Sequence, residues 1–272
     1  MKSLRNTLFL SFLTLLLYNC NKNPYTATNK DYKRQAKGYA KLLKQAPPND
    51  SLPQIVSNWV GTTNFNMRKP NFVVIHHTAQ NSCDQTLKTF TMPKTQVSAH
   101  YVICKDGSVH HMLNDLLRAW HGGVAKWGNN TDINSSSIGI EIDNNGVDSF
   151  ATAQINTLLQ LLANLKKAYA IPAANFIGHE DIAPTRKNDP NVTFPWKKLA
   201  DAGFGLWWSD TTGVTVPQTF DHLQALRIIG YNIKDTTSVI QTFNRKYLQQ
   251  EGQSRLSEDG RKILYTLYRK YE

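Results

Sequence analysis

Three stretches far apart in the chain each end an apolar run on a polar side chain suited to metal chemistry. They are Val74-Ile75-His76-His77-Thr78, Ile138-Gly139-Ile140-Glu141, and Gly178-His179-Glu180-Asp181-Ile182, the last followed by Arg186-Lys187-Asn188-Asp189-Pro190. A catalytic zinc takes three protein ligands and keeps one position open. Two imidazoles and one carboxylate meet that count, and the metal lowers the pKa of water at the open position to roughly 7. A carboxylate outside the metal shell can take a proton from that water. A cation can steady the oxyanion of a tetrahedral intermediate. Glu141 and Lys187 have the chemistry for these two tasks. Spacing alone does not select the ligands. The chain lacks a His-Glu-x-x-His motif, and a histidine taken at random is more often a hydrogen-bonded structural residue than a ligand.

The run Gly178-His179-Glu180-Asp181-Ile182-Ala183-Pro184-Thr185-Arg186-Lys187-Asn188-Asp189-Pro190, with Ser98-Ala99-His100-Tyr101 and Arg118-Ala119-Trp120-His121, is highly specific. It resembles the type 2 N-acetylmuramoyl-L-alanine amidases of the AmpD/AmiD kind over about residues 70–200. The resemblance implies one zinc ion held by His76, His179 and Asp189, with Glu141 as the catalytic glutamate and Lys187 stabilising the transition state. It implies hydrolysis of the amide between the lactyl group of N-acetylmuramic acid, or its anhydro form, and L-alanine, in peptidoglycan or muropeptides. Adjacent strand residues face opposite ways, so only one of His76 and His77 can bind the metal, and the family pattern selects His76. Glu180 and Asp181 take supporting roles, because Asp189 occupies the family's carboxylate position. Arg118, Trp120, His121 and Arg186 are candidate substrate contacts: arginine can grip a stem-peptide carboxylate bidentately, and Trp120 can lie against a sugar. The alternative is a non-catalytic peptidoglycan receptor or scaffold on the same fold. Such receptors typically lack a metal ligand, whereas every ligand type is present here.

These residues need a sheet to carry them. Residues 71–78 read as a buried strand, residues 99–113 as a hairpin around Asp106-Gly107, and residues 137–143 as another strand. Ile155, Leu158, Leu159, Leu162 and Leu165 recur at helical spacing over 151–169. Residues 176–182 read as a further strand running into a loop. Mixed strands and helices predict an α/β domain, a mixed central sheet flanked by helices. Three helical stripes follow after residue 213, one ending at Gly230, one around Val239–Tyr247 and one around Ile263–Tyr268. They resemble a small three-helix peptidoglycan-binding module, with Gly260 and Arg261 where such modules usually carry a threonine.

The 272 residues carry a net charge of +11. Residues 1–55 hold nine Lys/Arg against two Asp/Glu, while residues 56–213 hold thirteen against twelve. A basic N-terminal segment near an anionic surface explains that asymmetry better than a nucleic-acid groove, so nucleic acid is excluded as a partner. Lys2 and Arg5 precede an apolar stretch from Leu8 to Tyr18, too short to span a membrane comfortably, and Cys20 follows. This resembles a bacterial lipobox with Asn19 in the position that usually takes a small residue, and it implies acylation of Cys20. The expected layout is a lipoprotein-type signal peptide over 1–20, a tether over 21–55 with one short helix around Asp31–Leu43, an amidase domain over 56–212 and a helical module over 213–272. The expected location is the outer membrane of a bacterial envelope, facing the periplasm, as a monomer. Cys83 and Cys104 can pair in an oxidising compartment or remain buried thiols.

Overall fold

The computed structural model describes residues 23–44, 62–67 and 69–271. The expected signal peptide and Cys20 lie outside the described residues, as does the Pro47-Pro48 end of the tether. The chain divides into two compact units, Met1–Phe65 and Asn66–Glu272. In the first, helix α1 spans Thr26–Leu43 and buries none of its residues. It starts a turn earlier than its apolar residues suggest. Asn23 begins it, accepting from the Tyr25 amide through its side chain and from Thr26 through its carbonyl.

The second unit is built on a five-stranded sheet. Strands β1 (Phe72–His77), β2 (Tyr101–Ile103), β3 (Val109–His111), β4 (Ser137–Ile142) and β5 (Phe176–Gly178) lie in the order β3-β2-β4-β1-β5. Only the β2–β3 hairpin is antiparallel; β2–β4, β4–β1 and β1–β5 run parallel. One face of the central strands is lined with apolar residues because a helix covers it. On that face Val73, Ile75, Ile138, Ile140 and Ile142 pack with Ile155, Leu158, Leu162 and Leu165 of α3 (Thr152–Tyr169). That is the helical stripe read from the sequence. The opposite face carries Val74, which is packed, and His76, Gly139 and Glu141, which are not apolar.

Three short helices escaped the sequence reading. Helix α2 (Cys83–Thr91) buries only Thr86 and Leu87, so it offers little periodic signal. Residues 176–182 also depart from the expected strand. The strand stops at Gly178, and His179–Ile182 forms one helical turn, α4, because the Asp181 carboxylate caps the Gly178 amide at 2.7 Å. Helix α5 (Trp196–Asp201) follows. Cys83 and Cys104 form a disulfide, tying the start of α2 to the end of β2.

The three C-terminal helices appear where their stripes predict: α6 (His222–Ile229), α7 (Thr236–Leu248) and α8 (Glu258–Tyr268). Asp221, Asp235 and Ser257 cap their N-termini through side-chain acceptors. Gly230 ends α6 at φ +135°, where a Cβ would lie 2.4 Å from the Trp127 ring, so only glycine fits. Leu226, Val239, Phe243 and Leu264 share one core with Val74, Ile177 and Ile182 of the sheet and α4. Each buried side chain of this size contributes about 1.5–3 kcal/mol, and here that stabilisation binds the helices to the sheet within one compact unit.

Candidate metal centre and active site

The parallel register sets the geometry. His76 pairs with Glu141 across β1 and β4, and Ile75 pairs with Gly178 across β1 and β5. His76, Glu141 and His179 therefore meet in one row at the carboxyl ends of three neighbouring strands, where α/β sheets place their ligands. The turn after α4 returns the chain, and the Glu180 amide donates to the Asp189 carbonyl at 2.9 Å. That bond brings Asp189 beside His179.

His76 Nδ1, His179 Nδ1 and Asp189 Oδ2 form a buried triangle with sides of 2.9, 3.0 and 3.0 Å. All three residues are buried. The protonation of the imidazoles follows from their outer partners. Ser137 Oγ donates to the Ile133 carbonyl at 2.6 Å, so it accepts from His121 Nε2 at 3.1 Å. His121 Nδ1 is then an acceptor, and His76 Nε2 donates to it at 3.1 Å. His179 Nε2 donates to the Gly122 carbonyl at 3.1 Å. Both Nδ1 atoms are left with lone pairs aimed at a carboxylate oxygen. Three acceptors about 3 Å apart without a proton among them repel one another unless a cation lies between them. Burial first, and then the neighbouring His179, pushes His76 down to about 4, so its ring is neutral at pH 7. Burial first and His76 second also hold His121 well below the ordinary histidine range, in keeping with its role as acceptor.

His121 sits on this face because Gly139 makes room for it. A Cβ on Gly139 would lie 2.4 Å from the His121 ring. His100 supports the same strand: its Nδ1 accepts from the Gly139 amide at 3.1 Å and its Nε2 donates to the Leu117 carbonyl at 2.9 Å. His77 points the other way, as strand alternation requires, and accepts from the Asn191 amide at 3.0 Å.

Glu141 is buried, and its Oε2 has no protein partner. Burial first, then the charge of Asp189, raises its carboxyl well above the usual range, with Lys187 opposing. A carboxylate whose proton affinity is raised in this way is a stronger proton acceptor than an ordinary one. The Lys187 ammonium is close enough to act on Glu141, His76 and His77. The remaining residues singled out in the sequence are spread around this centre. Arg118 pairs at the surface with Asp132 at 3.0 Å and bonds Ser135. Trp120 is half-exposed. His121 is a buried partner of a ligand histidine. Arg186 donates to the Gly122 and Val124 carbonyls at 3.1 and 2.8 Å, so it steadies the carbonyl that orients His179. Ser137, Gly122 and Gly139 carry no motif of their own and escaped the sequence reading.

A family model described as N-acetylmuramoyl-L-alanine amidase matches residues 66–192. The N-acetylmuramoyl-L-alanine amidase AmiD of Escherichia coli K12 is 34% identical over 188 residues, covering 60% of this chain and 67% of AmiD. The 1,6-anhydro-N-acetylmuramyl-L-alanine amidase AmpD of the same organism is 37% identical over 104 residues, 38% of this chain. The chain spans only 57% of AmpD's length. Among solved structures, E. coli AmiD bound to anhydro-N-acetylmuramic acid-L-Ala-D-γ-Glu-L-Lys superimposes with a TM-score of 0.68 at 28% identity, over 78% of this chain and 93% of AmiD. AmpDh3 from Pseudomonas aeruginosa, in complex with anhydromuramic pentapeptide, gives 0.69 at 30% identity, over 80% and 98%. Sequence, fold and the histidine–carboxylate triangle agree, and the chain belongs to the N-acetylmuramoyl-L-alanine amidase family.

Proposed function

We propose that this protein is a zinc-dependent amidase that releases the stem peptide from N-acetylmuramic acid or its 1,6-anhydro form during cell-wall turnover or recycling. The observation that carries the reading is the buried triangle of two neutral imidazole nitrogens and one carboxylate oxygen, together with a buried carboxyl whose Oε2 has no protein partner. His76, His179 and Asp189 would hold one zinc ion, whose ligand preferences match this donor set. When bound, zinc supplies Lewis acidity toward the scissile carbonyl and the attacking water. Glu141 accepts a proton from that water as the C–O bond forms, and delivers it to the alanine nitrogen as the C–N bond breaks. Lys187 contributes positive charge to the developing oxyanion. Trp120 and Arg118 are candidate walls for the sugar and the stem carboxylates. The bound muropeptides in the AmiD and AmpDh3 structures support this substrate class.

The same proposal places the protein on the periplasmic face of the outer membrane, anchored through acylated Cys20. The disulfide supports an oxidising compartment. The basic helix α1 supports a nearby anionic surface. At 100° per residue, Lys30, Lys33, Arg34, Lys37 and Lys41 fall within one sector of about 100°, opposite Tyr32, Tyr39 and Leu43.

The test is direct. Purified protein is incubated with muropeptides, with and without a chelator, and the products are weighed by mass spectrometry. Metal-dependent release of an intact stem peptide beginning with alanine is expected. Cleavage within the peptide, or between sugars, would overturn the reading.

A further inference from the structure

Two fully buried carboxylates follow the ligand His179 directly, and neither touches the triangle. Glu180 Oε2 is paired with Arg245 Nη1 at 2.8 Å, and Asp181 Oδ2 with Lys246 Nζ at 2.5 Å. Both cations come from α7, near its C-terminal end. Neither carboxylate is exposed, and the Arg245 and Lys246 side chains are only 12% and 5% exposed. Other bonds lock the arrangement. Asp181 also accepts from Tyr231 Oη at 2.7 Å and from the Gly178 amide at 2.7 Å. Lys246 lies 4.2 Å from the centre of the Trp196 ring, and Trp196 closes against Gly178, where a Cβ would meet it at 3.0 Å. Arg245 is held from its other side by Glu251 at 3.0 Å.

Ion pairs buried this deeply are weak grounds for stability, because desolvation offsets most of their attraction. What they supply is a fixed position. The clamped residues form α4, and α4 carries His179 and, through the Glu180 amide, holds the loop that bears Asp189. We propose that Arg245 and Lys246 are positioning residues for two of the three metal ligands. The C-terminal helices then act as an integral brace of the metal centre, beyond any part they take in binding the cell wall. This rests on the zinc reading above, and the experiment separates the two.

The experiment uses the whole chain. Lys246→Met keeps the methylene packing on Trp196 and removes the charge. Arg245→Lys keeps the charge and loses the two-pronged grip. Lys246→Arg is the conservative rescue, and Lys197→Met, which loses an exposed pair with Asp201, is the control. Zinc affinity is measured by chelator competition. Amide exchange at Glu180 is measured in the metal-free protein, relative to Ile75 in the sheet. Removing a residue that orients a metal ligand weakens affinity by about 10–100-fold, so Lys246→Met and Arg245→Lys should lose zinc on that scale. They should also lose protection at Glu180 by about tenfold, with Ile75 unchanged. Lys246→Arg should recover most of both signals, and Lys197→Met should change neither. Zinc affinity within twofold of wild type in Arg245→Lys, with Glu180 still protected, would overturn the proposal. If Lys246→Met does not fold, Arg245→Lys and Lys246→Arg decide alone. Failure of the wild type to bind zinc would instead strike the reading on which this one rests.

Discussion

His76 and Glu141 are register partners on adjacent parallel strands, so their side chains leave the same face of the sheet at the same level. One belongs to the buried triangle and the other carries an unpartnered carboxyl oxygen. The pairing separates holding the metal from moving the proton, and the two can be removed independently. Glu141→Gln should keep full zinc occupancy and lose about 10²–10⁴ in turnover, the usual worth of a general base. Metal content by atomic emission and turnover on a muropeptide check it. Retained turnover would remove Glu141 from the mechanism.

His179→Ala breaks the triangle from the opposite side. It should abolish stoichiometric zinc and turnover together, while the Gly122 carbonyl keeps its bond from Arg186. Chelation of the wild type should lower its melting temperature, because a ligand bound only by the folded state adds stability as RT ln(1 + [L]/Kd). Full metal occupancy in His179→Ala would discard this ligand.

The chain from Ile133 through Ser137 and His121 to His76 fixes which nitrogen of His76 carries its proton. Ser137→Ala frees the His121 ring to flip or change tautomer. Zinc affinity should fall about tenfold with the sheet intact. Gly139→Ala should do more damage, since its methyl group would overlap the His121 ring. Overpacking of this kind costs about 1–3 kcal/mol. Chelator competition and urea unfolding distinguish the two. Equal zinc affinity in all three proteins would show that the chain does not orient His76.

Much of this was legible in the sequence, for physical reasons. Strand alternation separates His76 from His77; a β-branched, apolar run marks residues 72–77, and the alternation of isoleucines marks residues 137–142. The stripe of α3 is equally plain. The α4 turn was not, because four residues contain no period; its signal is Asp181 placed three residues after Gly178, where a carboxylate can cap an amide. Ser137 and Gly139 were invisible as site residues, since one is a common hydroxyl and the other acts by what it lacks. The C-terminal helices were legible as helices, but a stripe of leucines and aromatics does not say which surface it will cover. Beyond the apolar core, they also meet α4 through Arg245 and Lys246, two charged residues that nothing in the sequence sets apart.

His100 gives the fold a pH dependence with a definite sign. It is neutral by construction, accepting at Nδ1 and donating at Nε2, and burial lowers its pKa below 6.5. The folded state thus binds fewer protons than the unfolded state between the two pKa values. The stability His100 contributes is complete above about pH 6.5 and is lost as pH falls through the folded value. His100→Gln should cost about 1–3 kcal/mol at pH 7, by leaving a buried amide or carbonyl poorly paired. It should also flatten the loss of stability on acidification. Urea unfolding of both proteins from pH 7 downward measures this, and parallel pH curves would refute it.

The five basic residues on one side of α1 should bind an anionic bilayer without any acyl chain. Near such a surface each Lys or Arg contributes about 1 kcal/mol, and screening over a Debye length of about 8 Å at physiological salt makes the attraction salt-sensitive. Protein beginning at Asn21 should therefore co-sediment with vesicles containing phosphatidylglycerol and not with phosphatidylcholine alone. Raising salt to about 0.5 M should release it, since the screening length shortens toward 3 Å at 1 M. Replacing Lys30, Lys33, Lys37 and Lys41 together with Gln should reduce binding at least tenfold and leave muropeptide hydrolysis in solution unchanged. Equal sedimentation with both kinds of vesicle would show that the charged face has no membrane role, and Cys20 would then be the sole proposed attachment.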